Sequence, residues 1–258
     1  MNLKQTKPIR KSDIIRVFLR SFFLQSIWNY QSLLSVGFEL CLFPIAKRLY
    51  PDDQPRKEFL QRHLKFFNAH PYLASYALGV SIRLEEGIAS GSEERCHQLE
   101  RVKDLLIPTL GAKGDQLFWL TIRPYSLIVG ILGLFMLESN VLRLAVLILV
   151  FTIFNIPHFY IRFIGLTEGY EFGLDVYKCL TNDRFKSLEK IYFYVGVAAI
   201  LVFIVLLTLK YYQEDPTKVA ILVGSAFYSA ILYKISNNLY STIFFSILFF
   251  LLVGFLFF

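Results

Sequence analysis

The feature that most constrains this chain is its second half, where charge disappears for long stretches. Residues 191–209 form one uncharged run. Residues 144–161 form a second, bounded by Arg143 and Arg162. Residues 235–258 form a third, most apolar from residue 243 onward. A helix rises 1.5 Å per residue, so about 20 apolar residues cross a hydrocarbon core of about 30 Å. Three transmembrane helices are therefore expected. Two shorter runs, residues 124–137 and 219–233, are marginal as independent spans and fit tilted, broken or re-entrant segments.

The apolar set A, V, I, L, M, F, W, Y and C makes up 55% of the 258 residues. A soluble domain sits nearer 45–50% even with glycine counted, so a soluble fold is excluded. Residues 1–123 hold most of the charge and read as an amphipathic helical half. Residues 124–258 read as the transmembrane half. The expected fold is an all-α, polytopic integral membrane protein, one membrane domain overall. Its amphipathic N-terminal helices, with room for re-entrant ones, precede the transmembrane helices.

The formal net charge is +7, and Lys4, Lys7, Arg10, Lys11, Arg16 and Arg20 face only Asp13 in the first twenty residues. In a membrane protein such a cluster marks a cytoplasmic terminus. No nucleic-acid motif accompanies it, so a nucleic-acid partner is not expected. No apolar core with a small-residue cleavage site follows, so this is not read as a signal peptide. Cys41, Cys96 and Cys179 are far apart, with no CxxC, and read as structural thiols. His63, His70, His97 and His158 lack a second ligand at metal spacing, so no metal or cofactor is expected. His158 lies in an apolar run and must find a partner or stay neutral. Walker A, GxGxxG, HExxH and GxSxG patterns are absent, and no enzyme acting alone is expected.

Within residues 21–38, which carry no formal charge, Ser21, Gln25, Asn29 and Ser32 recur at helical spacing. That spacing predicts a polar stripe on one helical face. Such a stripe is costly in lipid. It serves either a hydrogen-bonded helix–helix contact or a substrate path. Gln25 and Asn29 both donate and accept, and Trp28 adds a flat face and one N–H. The set suits sugar recognition and a tight subunit contact alike. The segment YPDDQ at 50–54 reads as a turn, with Asp52 or Asp53 capping a basic helix over 56–68. His70–Pro71 ends that helix, another helix follows over 73–86, and 87–92 and 111–114 read as breaks. Glu85 and Glu86 read as solvated or salt-bridged, with Arg83 and Arg123 as partners by composition. Asp115, near Phe118 and Trp119, reads as a helix cap or as part of a loop on a ligand path.

Four blocks add a resemblance. Asp13, Phe18, Arg20, Ser21, Gln25, Trp28 and Asn29 fit a DxxxxFxRS pattern followed by QxxWN. RHLKFFNAHPYLASYALGVSIRLEE (62–86), GDQLFWLTIRP (114–124) and GYEFGLD (169–175) follow in order. Together they resemble the IID component of the mannose–fructose–sorbose family of sugar phosphotransferase systems. The family's GDP reads Gly114–Asp115–Gln116 here, and Lys113 stands among small residues.

The resemblance implies a subunit of a bacterial inner membrane that pairs with a IIC subunit and assembles into a trimer of such pairs. It implies soluble IIA and IIB partners, whose histidines carry the phosphate, and a hexose-type sugar as cargo. It also implies that the block holding Glu85 lies in the membrane-embedded half, where a carboxylate must be paired. The expected sugar-binding residues are Gln25, Trp28 and Asn29, followed by Glu85 and Asp115. The alternative is a regulatory or scaffold membrane protein that keeps the fold without full transport.

Overall fold

The computed structural model describes residues 8–92, 94–214 and 216–257. Lys4 and Lys7 of the basic terminus, and the last residue of the third apolar run, lie outside them. The chain is helical, with no strand among the described residues. It divides into two compact units, residues 1–197 and 198–258.

In the first unit α1 (Lys11–Ser21), α2 (Ser35–Leu49), α3 (Asp53–His63) and α4 (Ala74–Ala89) precede α5 (Glu94–Gly114). A π-helical stretch, Asp115–Ile122, joins α5 without a break to α6 (Arg123–Met136). Next come α7 (Asn140–Phe172), a 3₁₀ turn (Gly173–Val176), the short α8 (Tyr177–Leu180) and the long α9 (Arg184–Glu214). The chain closes with α10 (Pro216–Ser236) and α11 (Leu239–Phe257).

Four helical stretches are long and apolar enough to cross a membrane: Glu94–Met136, Asn140–Leu180, Arg184–Gln213 and Val219–Ser236. At most 28% of the apolar window of any of them is buried, so their apolar surfaces face lipid or another chain. Both runs that are marginal by sequence thus belong to long helices. The run starting at residue 235 is divided: its first two residues end α10, and residues 239–257 form α11. α10 stops at Ser236, Asn237 turns to φ +46°, and Asn238 Oδ1 accepts the Ser241 N–H at 3.2 Å. Asparagine tolerates the left-handed conformation and caps the next helix, so α10 and α11 form a helical hairpin. A Ser229–Ser246 hydrogen bond of 2.9 Å and stacking of Tyr228 on Phe249 at 4.3 Å hold α10 against α11.

The centre of the first unit is α4, buried on every side from Ala74 to Ile82. Its small residues let α7 approach closely. A Cβ added at Gly79 would strike the backbone of Leu166 and Tyr170, and one at Gly169 would strike the Tyr76 carbonyl. Gly165 and Gly169 stand one turn apart on α7, the small-xxx-small spacing that brings two helix backbones together in membranes. Tyr76 Oη donates to Glu168 at 3.1 Å and Tyr170 Oη to Glu86 at 2.8 Å across the same contact.

Three expectations fail here for local reasons. Residues 22–34 are not a helix but a chain of turns. Asn29 Oδ1 accepts the backbone N–H groups of Gln31 (3.0 Å) and Ser32 (2.8 Å), and Leu33 has φ +53°. A short amide side chain that binds its own backbone competes with the helix ladder. Backbone bonds then pair Asn29 with Leu33 and join Leu34 and Ser32 to Phe67. Those pairings use the chain just after α3, which ends at His63 rather than 68. The 111–114 segment is likewise not a break. Gly114 is fully helical, and a Cβ on it would collide with the His70 side chain. The glycine provides a close approach, not a turn.

Candidate functional site

The expected site residues fall in three separate places. Gln25 is exposed among the turns. Trp28 is 49% exposed and packs edge-on against Tyr30 at 4.6 Å. Asn29 is occupied by its own turn. These three therefore do not share a helical face. Asp115 is exposed as the first residue of the π-helical stretch, so it caps no separate helix. Glu85 is 0% exposed on α4.

Around Glu85 the chain builds a buried ionic network. Arg62, on α3, donates from Nε and an Nη to the two carboxylate oxygens at 3.1 and 3.0 Å. Tyr50 Oη donates at 2.7 Å. His63 Nε2 lies 3.1 Å from Oε1, and facing an ionised carboxylate it carries the proton. Burial pushes the Glu85 carboxyl up, but the His63 and Arg62 hydrogen bonds and the Arg62 charge outweigh it and hold the group below the usual carboxylate range. Burial lowers His63 to about 4 against the pull of Glu85, so the imidazole is neutral near pH 7. Its Nδ1 is then a bare acceptor without a partner, which costs less than an orphaned N–H. Lys103 Nζ lies beside the same network, 5.0 Å from the Phe38 ring. Of the partners expected from composition, Arg83 pairs with Glu86 at 3.5 Å rather than with Glu85, and Arg123 covers Trp119 at 5.4 Å. With every oxygen of Glu85 engaged, this network ties α2, α3 and α4 together.

A second buried assembly has the opposite composition. Arg162, on α7, is 3% exposed, and no carboxylate pairs with it among the described residues. Its Nε donates to His158 Nε2 at 3.1 Å and an Nη donates to the Ser21 carbonyl. That carbonyl lies at the C-terminal end of α1, where helix carbonyls lack partners and favour a cation. The guanidinium lies 4.9 Å from the Phe22 ring and 5.4 Å from the Tyr72 ring, within cation–π range. His158 stacks on Tyr72 at 3.8 Å. Next to Tyr72, His70 stacks on Phe118 at 5.2 Å and lies 5.1 Å from Trp119. His70 Nδ1 accepts the Tyr72 N–H at 3.3 Å, which leaves its buried Nε2 without a partner.

The π-helical stretch brings Phe118 and Trp119 to this cluster, and π-helical turns recur at functional sites. Trp119 is 38% exposed. A half-exposed indole, a stacked tyrosine and a buried cation offer a flat apolar face and donors for a hydroxylated ligand. No nucleophile with an adjacent base is part of it. Sequence reading treats Arg162 as a span boundary and His70 as a helix end. The legible signal was the His158–Arg162 pair at i, i+4 within an apolar run, because two polar groups there must satisfy each other.

A family model for the mannose/fructose/sorbose family IID component of phosphotransferase systems matches residues 8–256. The chain belongs to this IID family. The mannose-specific IID component of Escherichia coli (strain K12) is 37% identical over 185 residues, covering 71% of this chain and 64% of the relative. The fructose permease IID component of Bacillus subtilis (strain 168) is 30% identical over 188 residues, covering 73% and 66%. The chain thus spans about 64% of the length of the mannose-specific relative. A chain in the cryo-EM structure of the mannose transporter ManYZ with microcin E492 superposes with a TM-score of 0.59 at 34% identity, covering 76% of this chain and 70% of that one. A second solved membrane-protein structure gives 0.64 at the same identity and coverage. This IID chain is accordingly a helical membrane protein, and its Trp119 and Arg162 clusters sit on the IID scaffold.

Proposed function

We propose that this chain is the membrane subunit of a bacterial sugar permease. With a IIC partner it forms the translocation unit, and uptake of a hexose-type sugar is coupled to phosphorylation by IIB, which IIA supplies. The IID match across residues 8–256 carries this reading. The mostly exposed apolar helices support it, since they need lipid or a partner chain around them. The phosphate passes through IIA and IIB, and this chain binds, gates and docks. The pairs assemble as a trimer in the inner membrane. The basic first twenty residues support a cytoplasmic N-terminus. The exposed side chains of Gln25, Trp28 and Asp115 are the candidates for contact with sugar or with IIC, while Asn29 holds the turn that follows Trp28 and Glu85 holds α3 against α4.

Co-expression with IIC, IIA and IIB followed by sugar uptake and phosphorylation assays across several hexoses tests the proposal. The expected result is phosphorylated sugar inside vesicles only when this chain and IIC are both present. Uptake that proceeds without this chain, or a stable dispersed monomer that ignores IIC, would sink it. Assembly with IIC and no uptake of any sugar would leave the scaffold reading, and Gln116 is where to look first. It replaces the family's proline and donates to Glu189 at 3.2 Å. A Gln5→Cys variant should resist membrane-impermeant thiol reagents in intact cells, and ready labelling would reverse the orientation.

A further inference from the structure

The outer side of α1 is built for something other than water. Asp13, Val17 and Ser21 are its buried face. On the opposite face Ile15 and Leu19 stand four residues apart and are 51% and 57% exposed, and Phe23, in the turns that follow, is 60% exposed. Arg16 and Arg20 flank that apolar stripe on the side of α2. There a cleft of about 430 Å³ opens, lined by Arg16, Leu19, Arg20, Phe43, Pro44 and Lys47. Three cations and three apolar side chains line it, with no acid among them. Lys47 Nζ lies 4.8 Å and the Arg20 guanidinium 5.7 Å from the Phe43 ring, so that ring forms part of the cationic wall. Arg20 also donates to the Leu40 carbonyl at 3.0 Å, which holds it in place. The inner side of α1 meets a membrane-spanning helix: Phe18 packs edge-on against Phe163 at 5.5 Å, and Phe22, just after α1, lies tilted against Phe159 at 5.2 Å. The groove therefore sits at the flank of a span, not on a distant soluble face.

We propose that the α1–α2 groove is a binding site for an anionic phospholipid, with the phosphate held by Arg16, Arg20 and Lys47 and an acyl chain lying along Leu19, Phe43 and Pro44. An amphipathic helix with a cationic flank lies in the plane of the interface, its apolar face sunk into the acyl boundary. Basic groups at that level attract anionic headgroups. The site fixes the depth of α1 in the bilayer, and through the Ser21 carbonyl it touches the element on which Arg162 rests. A soluble acidic protein would meet the same cations but would leave the apolar stripe in water, so lipid is the better occupant.

The test is native mass spectrometry of the intact complex from mixed phosphatidylglycerol and phosphatidylcholine nanodiscs. The complex should retain phosphatidylglycerol selectively. Arg16→Gln combined with Lys47→Gln removes two cations without touching the Arg20 anchor. Each basic group near a surface is worth about a factor of five, so selectivity should fall by about thirty-fold. Lys57→Gln combined with Arg101→Gln removes the same charge outside the groove and should leave selectivity unchanged. Three results would overturn the proposal: no phosphatidylglycerol preference in the native complex, equal losses from both double variants, or an unchanged lipid profile with loss of IIB binding in the groove variant. The last would make the groove a protein-docking surface.

Discussion

Two buried polar assemblies lie within the first unit, and they follow opposite rules. The one around Glu85 gathers a carboxylate, a guanidinium, a phenol and an imidazole, with every oxygen of the acid engaged. The one around Arg162 holds a cation with a helix carbonyl, one imidazole and aromatic faces. Charge in the first is cancelled locally. Charge in the second is spread over dipoles and π-faces. A compensated pair is costly to break from either side, because the survivor is left charged in a poor solvent. A cation held by dipoles leaves no opposite charge behind when it goes. The first assembly is therefore a clamp, and the second holds its cation without a counter-charge.

The sharpest way to test that contrast is Glu85→Gln. It strands the Arg62 guanidinium and should cost about 3–5 kcal/mol, read as a large fall in the temperature at which the detergent-solubilised protein loses its native elution peak. A loss under about 1 kcal/mol would mean that the network is solvated and no clamp.

Acid provides the next test. His63 has its pKa lowered to about 4 by burial, whereas in the unfolded chain it titrates near 6.5. The unfolded state thus takes up a proton first as pH falls. The stability contributed by neutral His63 is complete above about pH 6.5 and is lost progressively toward pH 4, by about 3 kcal/mol. Glu85, held low by its partners, loses its contribution in the same direction at lower pH. His63→Gln keeps an N–H for Glu85 but cannot titrate, so it should flatten the stability profile between pH 6.5 and 4. An unchanged slope would move the acid sensitivity elsewhere.

Arg162→Met should cost less than Glu85→Gln, about 1–3 kcal/mol, from the unpaired Ser21 carbonyl and His158 nitrogen. If the order of the two losses reverses, the distinction drawn here fails. Asn29→Ala is the smallest change, at about 0.5–1.5 kcal/mol for two turn hydrogen bonds. It should loosen residues 22–34 without altering either assembly, which hydrogen exchange across that loop would show.

The sequence made the spans legible because their composition alone carries the signal. Residues 144–161 and 191–209 lie inside helices that are apolar over more than a membrane thickness. The family was legible because four blocks keep their order. What misled was local chemistry that periodicity cannot see. Ser21, Gln25, Asn29 and Ser32 have helical spacing, yet Asn29 folds its amide onto the backbone after it. Glycines 111 and 114 look like a break, yet Gly114 makes room for His70 in an unbroken helix. The partners of Glu85 lie 22 and 23 residues back on another helix, beyond any local pattern. Gly165 and Gly169 stood in plain view, but only the packing of α4 gives their spacing a meaning.

The π-helical stretch at Asp115–Ile122 has one more consequence. A helix advances about 100° per residue at 3.6 residues per turn, and a wide turn takes in an extra residue. The two halves of the long Glu94–Met136 rod are therefore out of phase, like two threads cut on one bolt with a slip between them. Removing the extra residue from the stretch would restore one continuous thread and leave α6 facing as it does, whereas the same deletion in the α-helical part of α5 would rotate everything beyond it by about 100°. The wide turn is thus where the rod can gain or lose one residue while α6 keeps the same side chains against its neighbours.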